Sequence, residues 1–266
     1  MNSTLWVDDR IAYIEMVESA HLNCLGELLC DSLIDQIDHA YESECVAIVI
    51  KSQSRNRVWS AGHDIRELPL DGSDPLAYDV SLLRLLRKVQ SVPIPVIAYV
   101  DGTVWGGACD LCFSCDMIVA TDESSFAITP AKIGIPYNSS GLMHFMNQLG
   151  LNKAREMFFT GMPISAVDAY NVGEVDHVAP ADELLALVTE HVLSPIRRNS
   201  QLAISAIKRQ FRILAQDSSM VSSETFEQIN AYRKRVYTSA DYQEGIHAFL
   251  EKRPPLFSGR AKELDL

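Results

Sequence analysis

Two continuous apolar runs, Val46-Ala47-Ile48-Val49-Ile50 and Pro95-Val96-Ile97-Ala98-Tyr99-Val100, constrain the fold most. Neither alternates with polar residues, so each reads as a strand covered on both faces, the pattern of a largely parallel sheet flanked by helices. Helical spacing appears around them: Leu25 to Tyr41 carries Leu28, Leu29, Leu33, Ile34 and Ile37 on one side, and Ala77 to Val89 reads as a second helix. Ile11–Met16, Met117–Ala120 and Ser125–Ile128 read as further strands, and Gly106–Cys115 and Gly141–Leu149 as further helices. The alternation predicts an α/β core with crossover connections. From about Ala181 the strand signal fades, and four helices follow at Asp182–Val192, Leu202–Leu214, Ser223–Tyr237 and Ala240–Lys252. The expected organisation is a strand-rich core over residues 1–200 and a helical region over 201–266. The latter has too little core of its own, so it should pack on the first part or on a neighbouring subunit.

A chain of 266 residues can bury about three quarters of its unfolded surface without covalent staples. The net charge of −12 argues against nucleic acid, which wants a basic footprint. No apolar stretch reaches membrane-spanning length, so no membrane partner is expected. Met1-Asn2-Ser3-Thr4-Leu5-Trp6 lacks the pattern of a secretory signal, which predicts a cytoplasmic protein with its six cysteines reduced. The run Cys109-x-x-Cys112-x-x-Cys115 invites a metal reading. Cys115, however, leads into Asp116-Met117-Ile118-Val119, a buried-strand pattern, where a cluster motif would bring a fourth cysteine and a proline. The three thiols are therefore expected to be small buried side chains, and no metal is expected.

Two stretches that follow apolar segments carry the chemistry. They are Ser60-Ala61-Gly62-His63-Asp64-Ile65 and Asp101-Gly102-Thr103-Val104-Trp105-Gly106-Gly107-Ala108. Each ends a strand-like segment in small residues that expose backbone N–H groups, and the second opens a helix. Taken singly, each reads better as an ordinary glycine turn. Taken together, in this order, they suggest two amides converging on one point, the usual means of stabilising an enolate or a tetrahedral oxyanion.

With these stretches in register, the chain resembles the crotonase (enoyl-CoA hydratase/isomerase) superfamily over nearly its whole length. Ile133-Gly134-Ile135-Pro136-Tyr137, Asn171-Val172-Gly173-Glu174-Val175-Asp176 and Phe249-Leu250-Glu251-Lys252-Arg253-Pro254 complete the match. The resemblance implies a spiral of repeated β-β-α turns with a C-terminal helical trimerisation region. It implies an acyl-CoA thioester as substrate, assembly as a homotrimer or a dimer of trimers, and no cofactor beyond the coenzyme A that the substrate carries.

Carried over residue by residue, the resemblance assigns the two thioester-binding amides to His63 and Gly107. The family's hydratases use two carboxylates. The first matches Asp110, and the second position is occupied by Ala131, within Thr129-Pro130-Ala131-Lys132. A general acid–base pair is thus incomplete. Wording shared with the family's bacterial decarboxylase branch, Glu67-Leu68-Pro69, Asp74-Pro75-Leu76, Gly134-Ile135-Pro136-Tyr137-Asn138 and Asp241-Tyr242-Gln243-Glu244-Gly245, implies a different reaction. This is loss of CO2 from methylmalonyl-CoA to give propionyl-CoA, with Tyr137 orienting the carboxylate. Tyr137 also reads as an aromatic plug after the Ile135-Pro136 turn. Asp110 reads equally as a carboxylate complementing its helix dipole, and the His63 side chain as pocket lining. For the coenzyme, the family places Ala61, Asp64 and Ile65 around the adenine and His21 and Leu22 along the pantetheine arm. Phe249 and Lys252 match positions that reach a neighbouring subunit's ligand; read alone, they are a buried aromatic and a solvated lysine. Two rival readings remain: another hydratase- or isomerase-type activity, and an acyl-CoA-binding scaffold without turnover.

Overall fold

The computed structural model describes residues 2–17, 20–53, 57–75, 77, 80–217 and 223–259. In chain order, β1 (Ser3–Asp8) and β2 (Ile11–Met16) precede α1 (Glu27–Glu42), β3 (Ala47–Ser52) and β4 (Val58–Ser60). Then come α2 (Ser81–Ser91), β5 (Val96–Val100), β6 (Thr103–Trp105), α3 (Gly107–Ser114), β7 (Met117–Thr121), β8 (Ser125–Ala127) and α4 (Ser139–Thr160). After β9 (Ile164–Ser165), α5 (Ala166–Asn171) and β10 (His177–Ala179) the chain is helical. It runs through α6 (Ala181–Val188), a π turn (Thr189–Leu193), α7 (Ser194–Arg198), α8 (Gln201–Asp217), α9 (Ser223–Tyr237) and α10 (Ala240–Leu250).

Among the described residues the strands form two sheets. One has the order β1-β2-β3-β5-β7-β10 and the other β4-β6-β8-β9. Three successive units, β3-β4-α2, β5-β6-α3 and β7-β8-α4, each place their first strand in the large sheet and their second in the small one. Within each sheet these strands lie parallel to the equivalents from the neighbouring unit. This is the expected β-β-α spiral.

The apolar runs explain the large sheet. Ile48, Ile50, Val96, Ala98 and Val100 point into a core shared with α1, α2 and α3, while Val49, Ile97 and Val119 point outward beneath Leu184, Val188, Val192 and Ile196. Both faces are dry, which is why β3 and β5 carry no polar alternation.

The helical region rests on this core. Lys208, buried on α8, donates to Val89 O (3.1 Å), Ile94 O (3.0 Å) and Asp116 Oδ2 (2.6 Å). On α10, Tyr242 Oη donates to Pro69 O at 2.9 Å. Gly245 lies so close to the Pro130–Ile133 turn that a Cβ there would stand 2.1 Å from Ile133 O. α8 also exposes the apolar side chains Leu202, Ile207, Phe211, Ile213 and Leu214. Among the described residues no helix is long and apolar enough to cross a membrane.

Several boundaries differ from the sequence expectation. The helix expected at Ala77–Val89 is described from Ser81 to Ser91, and residues 76, 78 and 79 lie outside the described residues. Gly141–Leu149 is part of the longer α4, which is interrupted where Gly150 adopts φ +71°. The short strands β4, β6, β9 and β10 and the amphipathic edge strand β1 are too brief or too mixed to declare themselves by period.

Candidate active site

The site begins with strand register. Ser60 on β4 is paired with Val104 on β6, parallel. Three residues beyond Ser60 comes His63, and three beyond Val104 comes Gly107, so equal steps from one parallel pairing carry both amides to the same end of the small sheet. The loops then touch. A Cβ on Gly62 would stand 2.2 Å from Trp105 O and 3.1 Å from Gly107 N, a clash no side chain survives, and Gly62 has φ +87°. A Cβ on Gly107 would lie 3.5 Å from His63 N.

These amides are unclaimed. Leu25 N–H takes the Gly62 carbonyl at 2.7 Å, and no backbone carbonyl among the described residues takes His63 N–H or Gly107 N–H. Gly107 is the first residue of α3, where backbone donors have no intrahelical partner and the helix dipole is positive. A buried polar network fixes the loop opposite. Asn23 Nδ2 donates to Ser52 Oγ (2.8 Å) and Trp59 O (3.1 Å), and Ser60 Oγ donates to Asn23 O (2.6 Å). Ala61 N–H donates to Leu22 O at 2.9 Å, which sets Leu22 beside Ala61.

In front of the amides is a cavity of about 70 Å³ walled mainly by apolar groups, among them Ile65, Leu82, Pro130, Ile133 and Ile135. Its titratable lining residues are His63, Asp110 and Tyr137. Tyr137 Oη donates to Asp110 Oδ2. Its ring packs edge-on against Phe158 and Phe145, centroids 5.0 and 6.2 Å away. Packing locks the Tyr137 ring, and its hydroxyl meets Asp110.

Asp110 is 3% exposed on the first turn of α3, and burial pushes its carboxyl above the ordinary range, with His144 opposing. Burial likewise pushes the His63 imidazole below its ordinary value, with Asp64 opposing, and His63 Nδ1 has no partner. An imidazole held neutral is a poor proton donor. The Asp64 side chain is engaged elsewhere: it caps the short Ile65–Glu67 turn and grips the Arg66 guanidinium with both oxygens. Ala131 is exposed on the Pro130–Ile133 turn, while Pro130 and Ile133 line the cavity. Asp110 is therefore the single carboxylate on the cavity wall among the described residues.

Ala61, His63, Ile65, Gly107, Asp110 and Tyr137 are thus brought together around one cavity, and Leu22 borders it through Ala61. His21 is exposed one residue further along that loop. Phe249 (53% exposed) and Lys252 lie on the surface at the end of α10 and do not line this cavity. Phe249 is not the buried aromatic that its residue type alone suggested, because α10 buries the face carrying Tyr242, Gly245, Ile246 and Ala248 and leaves Phe249 on its outer side. His144 on α4 escaped the sequence reading. Its Nδ1 lies 3.9 Å from Asp110 Oδ1, and its Nε2 bonds to Phe113 O at 2.7 Å. A lone polar residue inside a helical pattern gives no signal of this.

Near Cys109, Cys112 and Cys115 there is no metal-type grouping of His, Cys, Asp and Glu among the described residues. Cys109 Sγ donates to Val104 O and Ala127 O, and Cys115 Sγ to Leu111 O, so these thiols act as packing groups with weak backbone bonds.

The chain matches the enoyl-CoA hydratase/isomerase family pattern over residues 7–260. It is 40% identical over 251 residues to the methylmalonyl-CoA decarboxylase of Escherichia coli, spanning 94% of this chain and 95% of that one. It is 32% identical to the rat mitochondrial enoyl-CoA hydratase domain-containing protein 3, over 94% of this chain and 82% of that one. Among solved structures, methylmalonyl-CoA decarboxylase in complex with 2-nitronate-propionyl-CoA superposes with a TM-score of 0.94 at 37% identity, covering 98% of this chain and 99% of the other.

Proposed function

Because the chain belongs to the enoyl-CoA hydratase/isomerase family, we propose that it decarboxylates methylmalonyl-CoA to propionyl-CoA through a thioester enolate. The observation that carries this reading is a cavity lined by His63 and Gly107, whose amides no backbone carbonyl among the described residues takes, and by one carboxylate, Asp110. Adding water across a double bond calls for an acid and a base acting on two atoms, and Ala131 supplies neither. Decarboxylation needs no base to start. The electrons of the breaking C2–carboxylate bond flow into the thioester, and the His63 and Gly107 amides receive the negative charge on its oxygen.

Tyr137 holds the leaving carboxylate with its C2 bond perpendicular to the thioester plane. Burial favours a neutral Asp110, which accepts the Tyr137 hydrogen bond in the resting chain and does not repel the substrate's anion. The apolar wall leaves the carboxylate poorly solvated, which favours its departure as neutral CO2. The coenzyme A portion runs along Ala61, Asp64 and Ile65 with its pantetheine arm against His21 and Leu22. The exposed apolar face of α8 packs in a homotrimer or a dimer of trimers, where Phe249 and Lys252 meet a neighbour's coenzyme. No metal or further cofactor takes part.

Incubation of the purified protein with methylmalonyl-CoA tests this directly. Mass spectrometry is expected to show propionyl-CoA without any added cofactor, and untouched substrate refutes the reading. Crotonyl-CoA in parallel discriminates the hydratase alternative, since its hydration removes the absorbance of the conjugated thioester.

A further inference from the structure

Resting on the decarboxylase reading, the reaction has an unmet need: each turnover releases CO2 and consumes one proton, which must be delivered to the enolate within an apolar cavity. A second and larger cavity, about 800 Å³, lies behind it between α2, α4 and α9. Its lining includes the exposed residues Gln90, Ser140 and Glu227, so it communicates with solvent. Leu83, Asp110 and Asn138 line both cavities and form the partition. Of these only Asp110 titrates. On the solvent side of the partition, His144 faces it.

We infer that His144 is a positioning residue that relays protons from the larger cavity to Asp110, and so recharges the donor that quenches the enolate. The geometry assigns a direction. His144 Nε2 is committed to the Phe113 carbonyl, which leaves Nδ1 to face Asp110 Oδ1 across 3.9 Å. That oxygen is buried and has no hydrogen-bond partner. Asp110 Oδ2, the other oxygen, meets Tyr137. An imidazole readily takes up and gives back a proton near neutral pH, and resting-state catalytic contacts commonly lie beyond transfer distance and tighten when substrate binds.

The enolate C2 forms a bond to the Tyr137 hydroxyl proton as that O–H breaks. Asp110 passes its proton to the phenolate oxygen. The Asp110 carboxylate takes one from Nδ1 of the His144 imidazolium, and that same nitrogen, the one not committed to Phe113 O, takes one from solvent in the larger cavity. One solvent proton enters per CO2 released. Burial keeps the Asp110 carboxyl above its ordinary range, which suits a group that must hold a proton between turnovers.

The test exploits reversal of the last step: propionyl-CoA in deuterium oxide, with C2 deuteration followed by mass spectrometry. The H144Q variant keeps an amide donor for Phe113 O but cannot shuttle a proton. Its exchange and its turnover are expected to fall about 100-fold, with the dissociation constant for propionyl-CoA unchanged. H144A is expected to fall similarly and to recover when imidazole is added, because the larger cavity admits it. An H144Q that exchanges like the parent protein, or an H144A that imidazole leaves unchanged, overturns the inference. CO2 release from methylmalonyl-CoA, measured on the same preparations, separates the two claims. Exchange that depends on His144 without CO2 release overturns the substrate assignment and supports the relay. CO2 release with undiminished exchange in H144Q overturns the relay alone.

Discussion

Lys208 Nζ and Asp116 Oδ2 meet at 2.6 Å, with the lysine 9% exposed, where the helical tail crosses the large sheet. The same ammonium also holds two backbone carbonyls, Val89 O and Ile94 O, so it seals the end of α2 and the approach to β5 as well as pinning α8.

Lys208→Met is therefore expected to cost about 3 kcal/mol, because it strands a partly buried carboxylate and two carbonyls together. Denaturant unfolding reads this. The double variant with Asp116→Asn should recover part of the loss, since no charge is then left without its partner. A loss within experimental error of zero would refute the anchoring role.

Gly62 and Gly107 separate folding from chemistry. Gly62→Ala forces a Cβ against the Trp105 carbonyl at φ +87°, so it should unfold at markedly lower temperature. Gly107→Ala meets mainly the mobile end of Leu82 (Cδ2, 2.7 Å), which can shift. Its methyl fills the space before His63 N, so turnover should drop by about 100-fold or more with a nearly unchanged melting temperature.

Tyr137→Phe keeps the aromatic packing against Phe145 and Phe158 and removes the hydroxyl. A hydrogen bond to a charged group is worth about 1.5–3 kcal/mol; its loss predicts a 10- to 100-fold lower kcat with methylmalonyl-CoA. Undiminished turnover would take Tyr137 out of the mechanism.

Glu174 gives a pH signature. Burial raises its carboxyl from 4.5 to about 7, with His144 opposing the shift and Asp176 adding to it. The folded chain thus keeps a proton that the unfolded chain has lost. This contribution to stability is complete below about pH 4.5 and disappears as pH rises through about 7. Glu174→Gln should flatten thermal stability across that window and leave the variant ahead of the parent at pH 8 by roughly 1 kcal/mol, solvent screening included. Parallel curves for the two proteins would contradict it.

The α8 face predicts assembly. Phe211 is 69% exposed in the isolated chain, beside Leu214 at 64%. Phe211→Glu should shift the mass measured by light scattering from an assembly of three or six chains towards the monomer. A monomeric parent protein would refute the proposed trimer.

How far the sequence reaches varies by element. β3 and β5 are legible because burial on both faces leaves the unbroken apolar runs Val46–Ile50 and Val96–Ala98, and the loops after β4 and β6 because glycine is forced where backbone meets backbone. Single-chain periodicity could not reveal β9 or β10, which are held by pairing with β8 and β7 and have little pattern of their own. The same holds inside the site. Asp110 and Tyr137 sit in motifs, but their contact spans 27 positions and depends on where α4 lies against α3. His144 is visible only once that packing exists.

The in-step pairing of Ser60 with Val104 has an evolutionary corollary. The point that catches charge is located by main-chain pairing, whereas much of the remaining cavity lining is made of replaceable side chains. Mutational drift at Asp110 or Tyr137 can redirect the chemistry while the two amides keep their spacing, so reaction type and scaffold can diverge at different rates.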